Sequence, residues 1–246
     1  MTKTQNLTPR SGVKLSRSKG FTLAEILITL TVIGVVAALT IPTLLQNTNL
    51  AELKVAWKRD FAEINQATTL MTNENGGALA GVYADGNAMI NAYATHLNYI
   101  KKCSSGSNAP EGTGCNHVSG ANGFVYKLSG EKAGGSDVAG PSLILSNGSL
   151  LAYDHISSAC DWNAPNVNRN PNRDACGYAV IDVNGFKAPN TFGKDIFSFY
   201  ILNSGGILPY GIQGSYHANV PVSHSCDIAT YPSTDGQNCS ADYLYQ

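Results

Sequence analysis

The chain has 246 residues, with 16 Lys and Arg against 17 Asp and Glu, and only 13% of it is charged. That length holds one or two domains, and so low a charge density marks a loop-rich or partly membrane-embedded protein rather than one built around a basic nucleic-acid stripe. The net charge of −1 hides an asymmetry: residues 1–20 carry Lys3, Arg10, Lys14, Arg17 and Lys19 and no acid, so the remainder is acidic.

Phe21 to Leu45 is an apolar run broken only by Glu25, Pro42 and a few threonines. As a helix those 25 residues span about 37 Å, more than the roughly 30 Å of a bilayer's hydrocarbon core. The basic residues ahead of it keep the N-terminus in the cytoplasm. A secretory signal peptide places its small cleavage residue after a shorter apolar core. Here Gly20 precedes the run, which implies a cut on the cytoplasmic side with the apolar segment retained. Glu25 costs about 2.5–3.5 kcal/mol in the apolar phase on insertion scales, so it needs a partner.

Lys19-Gly20-Phe21-Thr22-Leu23-Ala24-Glu25 resembles the leader-peptide junction of type IV pilins and type II secretion pseudopilins, and the likeness continues to about Leu45. The resemblance implies that a prepilin peptidase cuts after Gly20 and methylates the new N-terminal residue, Phe21. It also implies that Glu25 pairs with the N-terminal amine of a neighbouring subunit during assembly, and that Pro42 loosens or kinks the helix. Before cleavage that amine does not exist, because Phe21 is still in a peptide bond. The implied organisation is a cytoplasmic leader over 1–20, removed; a transmembrane and filament-core helix over 21–45; an amphipathic continuation over 46–75; and an extracytoplasmic head over 76–246.

Beyond the membrane segment, Leu50, Leu53, Trp57, Phe61 (or Asp60 on the strict count), Ile64, Ala67 and Met71 recur at spacings of three and four. This predicts one helix from Phe21 to about Glu74, stopped by Asn73-Glu74-Asn75-Gly76-Gly77. A second helix is expected at about 86–100, with Met89, Ile90, Tyr93, Leu97 and Ile100 on one face and Lys101-Lys102 at its end. Strands are expected over Gly123–Leu128, Ser142–Ser146, Ser149–Tyr153, Tyr178–Val183 and Ile196–Leu202. Asn147-Gly148 between two of them is the sign of a two-residue hairpin turn. Asn163 to Asp174 reads as loop. The class is α+β, and the resemblance implies the pilin-like version, a long helix packed on an antiparallel sheet.

Cys103, Cys115, Cys160, Cys176, Cys226 and Cys239 contain no CxxC, which argues against a zinc ribbon or thioredoxin-like motif. In a translocated head they read as disulfides closing surface loops. Six cysteines allow 15 connectivities, among which the sequence does not choose, and pairing each with its neighbour is the simplest.

Around residues 181–201, Asp182, Asn184 and Asp195 supply oxygens beside turns at Gly185 and Gly193. Calcium takes six to eight such oxygens, so a calcium site is one reading and turn hydrogen bonds are the other. No other cofactor is expected. His96, His117, His155, His217 and His224 lack H-x-x-x-H spacing and read as surface residues. Tyr231, Tyr243 and Tyr245 read as strand or interface. G-x-S-x-G, P-loop and G-x-G-x-x-G motifs are absent, so no enzyme is expected, and the head offers no basic stripe for nucleic acid. The expected partners are a prepilin peptidase, other pilin or pseudopilin subunits, an inner-membrane assembly platform and the membrane. The expected role is structural, in a type IV pilus or a type II secretion pseudopilus. The alternative is a minor or tip subunit whose loops bind a secreted substrate, a surface or DNA.

Overall fold

The computed structural model describes residues 20–103, 115, 117, 125–133, 140–161, 175–212, 226–230 and 232–245, with residues 42–48 and 154–156 described by backbone only. The leader residues before Gly20, the 163–174 loop, His217, His224 and Tyr231 lie outside these. The chain divides into two compact units, Met1–Asn47 and Thr48–Gln246.

The first element, α1, runs Leu23–Glu74 and includes Pro42. Its stretch Leu23–Ile41 is long and apolar enough to cross a membrane, and its large apolar side chains are exposed. In the second unit α1 buries Trp57, Asp60, Ile64, Ala67 and Met71 of the predicted stripe together with Thr68 and Thr72, while Leu50, Leu53 and Phe61 are half-buried. The strict 3.6-residue count thus prevails over hydrophobicity at the 60/61 step.

The helix α2 spans Gly86–His96, capped by the Asp85 carboxylate accepting the Ala88 N–H at 2.8 Å. It stops four residues short of the predicted end. Leu97 already has extended backbone, and Tyr99–Cys103 leaves the helix to form β1 against β2. Tyr99 and Ile100 suit a pleated strand, and the two lysines that looked like a helix end sit on the open edge of a sheet. Charge there discourages pairing with another chain.

β2 (Ser142–Leu145), β3 (Leu150–Ile156), β4 (Ala175–Asp182), β5 (Ile196–Leu202) and β6 (Ile207–Pro209) complete a six-stranded antiparallel sheet in sequence order. The expected strand at Gly123–Leu128 is represented, among the described residues, only by single bridges from Tyr126 to Lys132 and Thr191. The short β6 was not predicted; its Pro209 is tolerated on an edge strand. A third helix, α3 (Cys239–Tyr245), stands where a C-terminal strand was one expectation.

Strand alternation divides the core in two. Leu143, Leu145, Leu151, Tyr153, Ala179, Ile181, Phe197, Phe199 and Ile201 join the α1 stripe and the Met89, Ile90 and Tyr93 face of α2. The intervening Ala152, Val180 and Ile196 pack on the opposite face with Val125 and Phe192. This is the α+β, pilin-like arrangement: one long helix, an antiparallel sheet and disulfides.

The hairpin between β2 and β3 differs from the two-residue turn expected. The Leu145 N–H reaches the Ser149 carbonyl at 2.8 Å and the Gly148 N–H reaches the Leu145 carbonyl at 2.9 Å, which leaves a three-residue loop, Ser146-Asn147-Gly148. Gly148 has φ +93°, the left-handed position that such loops place last. Asn147 holds the larger loop open for a purpose. Its amide donates to Asp60 Oδ1 at 2.9 Å, and its Oδ1 accepts the Ser149 N–H at 2.9 Å. Ser149 Oγ also donates to Asp60 Oδ2 at 2.6 Å, and Arg59 flanks the same carboxylate at 2.7 Å. Burial pushes the Asp60 pKa up, against the pull of these donors. A charged group with this many partners is tolerable inside, and it fixes α1 against the hairpin.

Candidate functional site

The first candidate is the start of α1. Gly20, Phe21 and Thr22 precede the helix. The Thr22 carbonyl accepts the first helical N–H, from Ile26, at 3.2 Å, which makes Thr22 the N-cap. Its hydroxyl accepts the Glu25 N–H at 3.2 Å. Glu25 Oε2 in turn accepts the Thr22 N–H at 2.7 Å and the Thr22 hydroxyl at 2.9 Å. This reciprocal Thr-x-x-Glu arrangement is a capping box, satisfying helix-end donors that would otherwise lack partners. The helix therefore starts at Leu23, two residues later than the Phe21 expected. The motif stands in the sequence as Thr22-Leu23-Ala24-Glu25, and attention to the carboxylate's charge had hidden its local use. Gly20 and Phe21 are left outside the helix and exposed. Among the described residues, a Cβ built on Gly20 meets no atom within 4 Å.

The second candidate is the β4–β5 connection. The Val183 N–H donates to the Asp195 carbonyl at 2.9 Å, which sets the two turns side by side. Asp195 Oδ2 accepts the Asn190 N–H at 2.8 Å and Oδ1 accepts the Thr191 N–H at 2.6 Å. Asp182 Oδ1 accepts the Asn184 N–H at 3.0 Å. With its nitrogen turned to the carboxylate, the Asn184 amide also donates to that oxygen at 2.8 Å and to the Lys187 carbonyl at 3.0 Å. Gly185 has φ +68°, and a Cβ on it would lie 2.6 Å from the Gly148 carbonyl oxygen. This turn and the β2–β3 loop touch through backbone, which excludes any side chain at 185.

The structure thus brings Asp182, Asn184 and Asp195 together, and it adds His117, which the sequence had placed on the surface. His117 is buried, its Nε2 2.9 Å from Asp182 Oδ2 and its ring edge-on to Phe186 at 5.1 Å. The pair is 65 residues apart in sequence, and no local pattern announces it. Asp182 Oδ1 and both Asp195 oxygens accept backbone N–H groups, and Asp182 Oδ2 is hydrogen-bonded to His117, so in this arrangement the two acids close the turns. Among the described residues, no group of three or more His, Cys, Asp or Glu is placed to hold a metal ion.

Burial raises the Asp182 pKa from 3.8 to about 7, aided by the charge of Asp195 and opposed by the His117 hydrogen bond. The folded protein therefore holds a proton that the unfolded chain releases above pH ~4, and stability falls as pH rises through that window. The melting temperature of the detergent-solubilised protein is expected to drop between pH 4.5 and 7.5, and Asp182→Asn is expected to make the drop shallower. A melting temperature that climbs over this range would contradict the assignment.

Disulfides join Cys103 to Cys115, Cys160 to Cys176 and Cys226 to Cys239. They anchor the ends of β1, β4 and α3 to the adjoining loops, so Cys115 belongs to a disulfide while His117, two residues on, serves Asp182.

The family described as the prokaryotic N-terminal methylation motif matches residues 15–41. No curated protein and no solved structure matches the chain. The match covers Gly20, Phe21, the capping box and the apolar start of α1. Residues 15–41 therefore carry a prokaryotic N-terminal methylation motif, which marks a prepilin-type signal of the type IV pilin or pseudopilin kind.

Proposed function

We propose that the protein is a structural subunit of a type IV pilus or a type II secretion pseudopilus. It is made as a prepilin, cut after Gly20, methylated on Phe21, and assembled with like subunits through α1 from an inner-membrane platform. Leu23–Ile41 anchors it as a single pass, with the leader in the cytoplasm and the head on the far side. The observation that carries this reading is the methylation motif lying on an exposed, non-helical Gly20–Phe21 peptide directly before a capped apolar helix. Phe21 and Glu25 lie at the head of the span, where the amine freed by cleavage meets a carboxylate. The disulfide-closed loops favour, as a second reading, a minor or tip subunit whose head engages a ligand.

The test is co-expression with a prepilin peptidase, followed by intact mass. The wild type is expected to lose the 20-residue leader and gain one methyl group, and Gly20→Ala is expected to stay full length. An uncut wild type would overturn the proposal.

A further inference from the structure

Glu25 uses only one of its two carboxylate oxygens in the capping box. Both the N–H and the hydroxyl of Thr22 go to Oε2, at 2.7 and 2.9 Å, and Oε1 takes no hydrogen bond among the described residues. A glutamate on an exposed helix face ordinarily samples several rotamers. Two bonds from one residue select the rotamer that turns the carboxylate back over the helix N-terminus. The helix dipole favours a negative charge at the same end. We propose that Thr22 is a positioning residue for subunit joining: its hydroxyl and N–H hold Oε2 so that Oε1 is presented, already oriented, to an incoming amine.

This inference rests on the assembly role given above, but it makes a separate claim. An untethered Glu25 would have to find the pairing rotamer while its charge was surrounded by hydrocarbon, and pre-orientation removes that search. The hydroxyl matters twice. It accepts the Glu25 N–H at 3.2 Å, which starts the helix at Leu23, and it donates its own proton to Oε2. Valine has the shape of threonine without that hydroxyl, whereas serine keeps the hydroxyl and loses the methyl group. Gln at position 25 can still accept from Thr22 but carries no charge.

The experiment expresses the full precursor with its peptidase and assembly proteins. It quantifies mature subunit in the membrane by mass, and filament subunit by shearing. Thr22→Val is expected to be cut and methylated like wild type while its filament yield per mature subunit falls about tenfold. Thr22→Ser is expected to stay within about twofold of wild type. Glu25→Gln is expected to abolish filaments, and adding Thr22→Val to it should change nothing further, since the two residues act as one unit. Normal filament yield from Thr22→Val overturns the inference, and so does Thr22→Ser failing as badly as Thr22→Val. Loss of cutting in Thr22→Val also overturns it, because Thr22 would then act on processing. A wild type that is uncut or forms no filaments is a different result, which overturns the assembly role itself.

Discussion

Replacing Trp57 by alanine is expected to cost the head about 3–5 kcal/mol, the usual range for removing a buried Trp or Phe side chain. Trp57 is fully buried on α1 and stacks on Phe197 of β5 at 4.9 Å, with Phe61 edge-on at 5.3 Å. Its indole N–H donates to the Ser240 carbonyl of α3 at 2.9 Å. One side chain therefore joins the long helix, the sheet and the C-terminal helix, and alanine would leave a cavity and lose the indole's hydrogen bond to α3. A domain is stable by about 5–15 kcal/mol in all, so the loss is about a fifth of the total or more. At about 2–4 °C per kcal/mol for a domain of this size, the melting temperature should fall by roughly 10 °C. Trp57→Phe keeps the stacking and loses the hydrogen bond, so it should cost about 1–2 kcal/mol. A Trp57→Ala protein melting within 2 °C of wild type would show that the three elements do not depend on this contact.

The second large effect is functional. Glu25→Ala is expected to leave cleavage after Gly20 intact and to reduce incorporation into filaments to background. The substitution also removes half of the capping box. A cap contributes only about 1 kcal/mol, too little to undo a helix of 52 residues, so the helix should survive. What disappears is the negative charge at the head of the span. Circular dichroism of the purified variant checks the first point, and the sheared fraction checks the second. Filaments formed at the wild-type level by Glu25→Ala would exclude charge pairing as the basis of joining.

What could be read from the sequence depended on the range of the interactions. The stripe from Leu53 to Met71 and the alternation in β2 through β5 are repeated local patterns, so they announced themselves. Asn147-Gly148 marked a turn correctly, but its length was settled by Asp60, 87 residues away, which draws the Asn147 side chain inward. Tyr99–Cys103 was misread because two lysines after an apolar helical face suit either a helix end or an open sheet edge, and only pairing with β2 decides between them. α3 is too short for periodicity to show; it is held by Trp57, by the Cys226–Cys239 bond and by Lys54 lying 3.9 Å over the Tyr243 ring. His117 could not have been found at all, since its partner is set by the fold. At the N-terminus the relevant residues are contiguous, which is why the motif over residues 15–41 was visible in the sequence, while the capping role of Thr22 was missed.

The sheet order has a consequence for how the protein is made. Each strand from β2 to β6 hydrogen-bonds to the one before it in the chain, so no strand must wait for a later one to arrive. The α1 stripe that the sheet packs on has been synthesised earlier still. A head delivered N-terminus first can therefore grow hairpin by hairpin on a surface already present, with little slow long-range search. α3 reaches back to Trp57, and Asn203 and Ile207 near the β5–β6 turn reach back to Leu79 and Asn65. α3 is thereby fastened to the long helix, and a variant lacking Cys239–Tyr245 would lose that fastening.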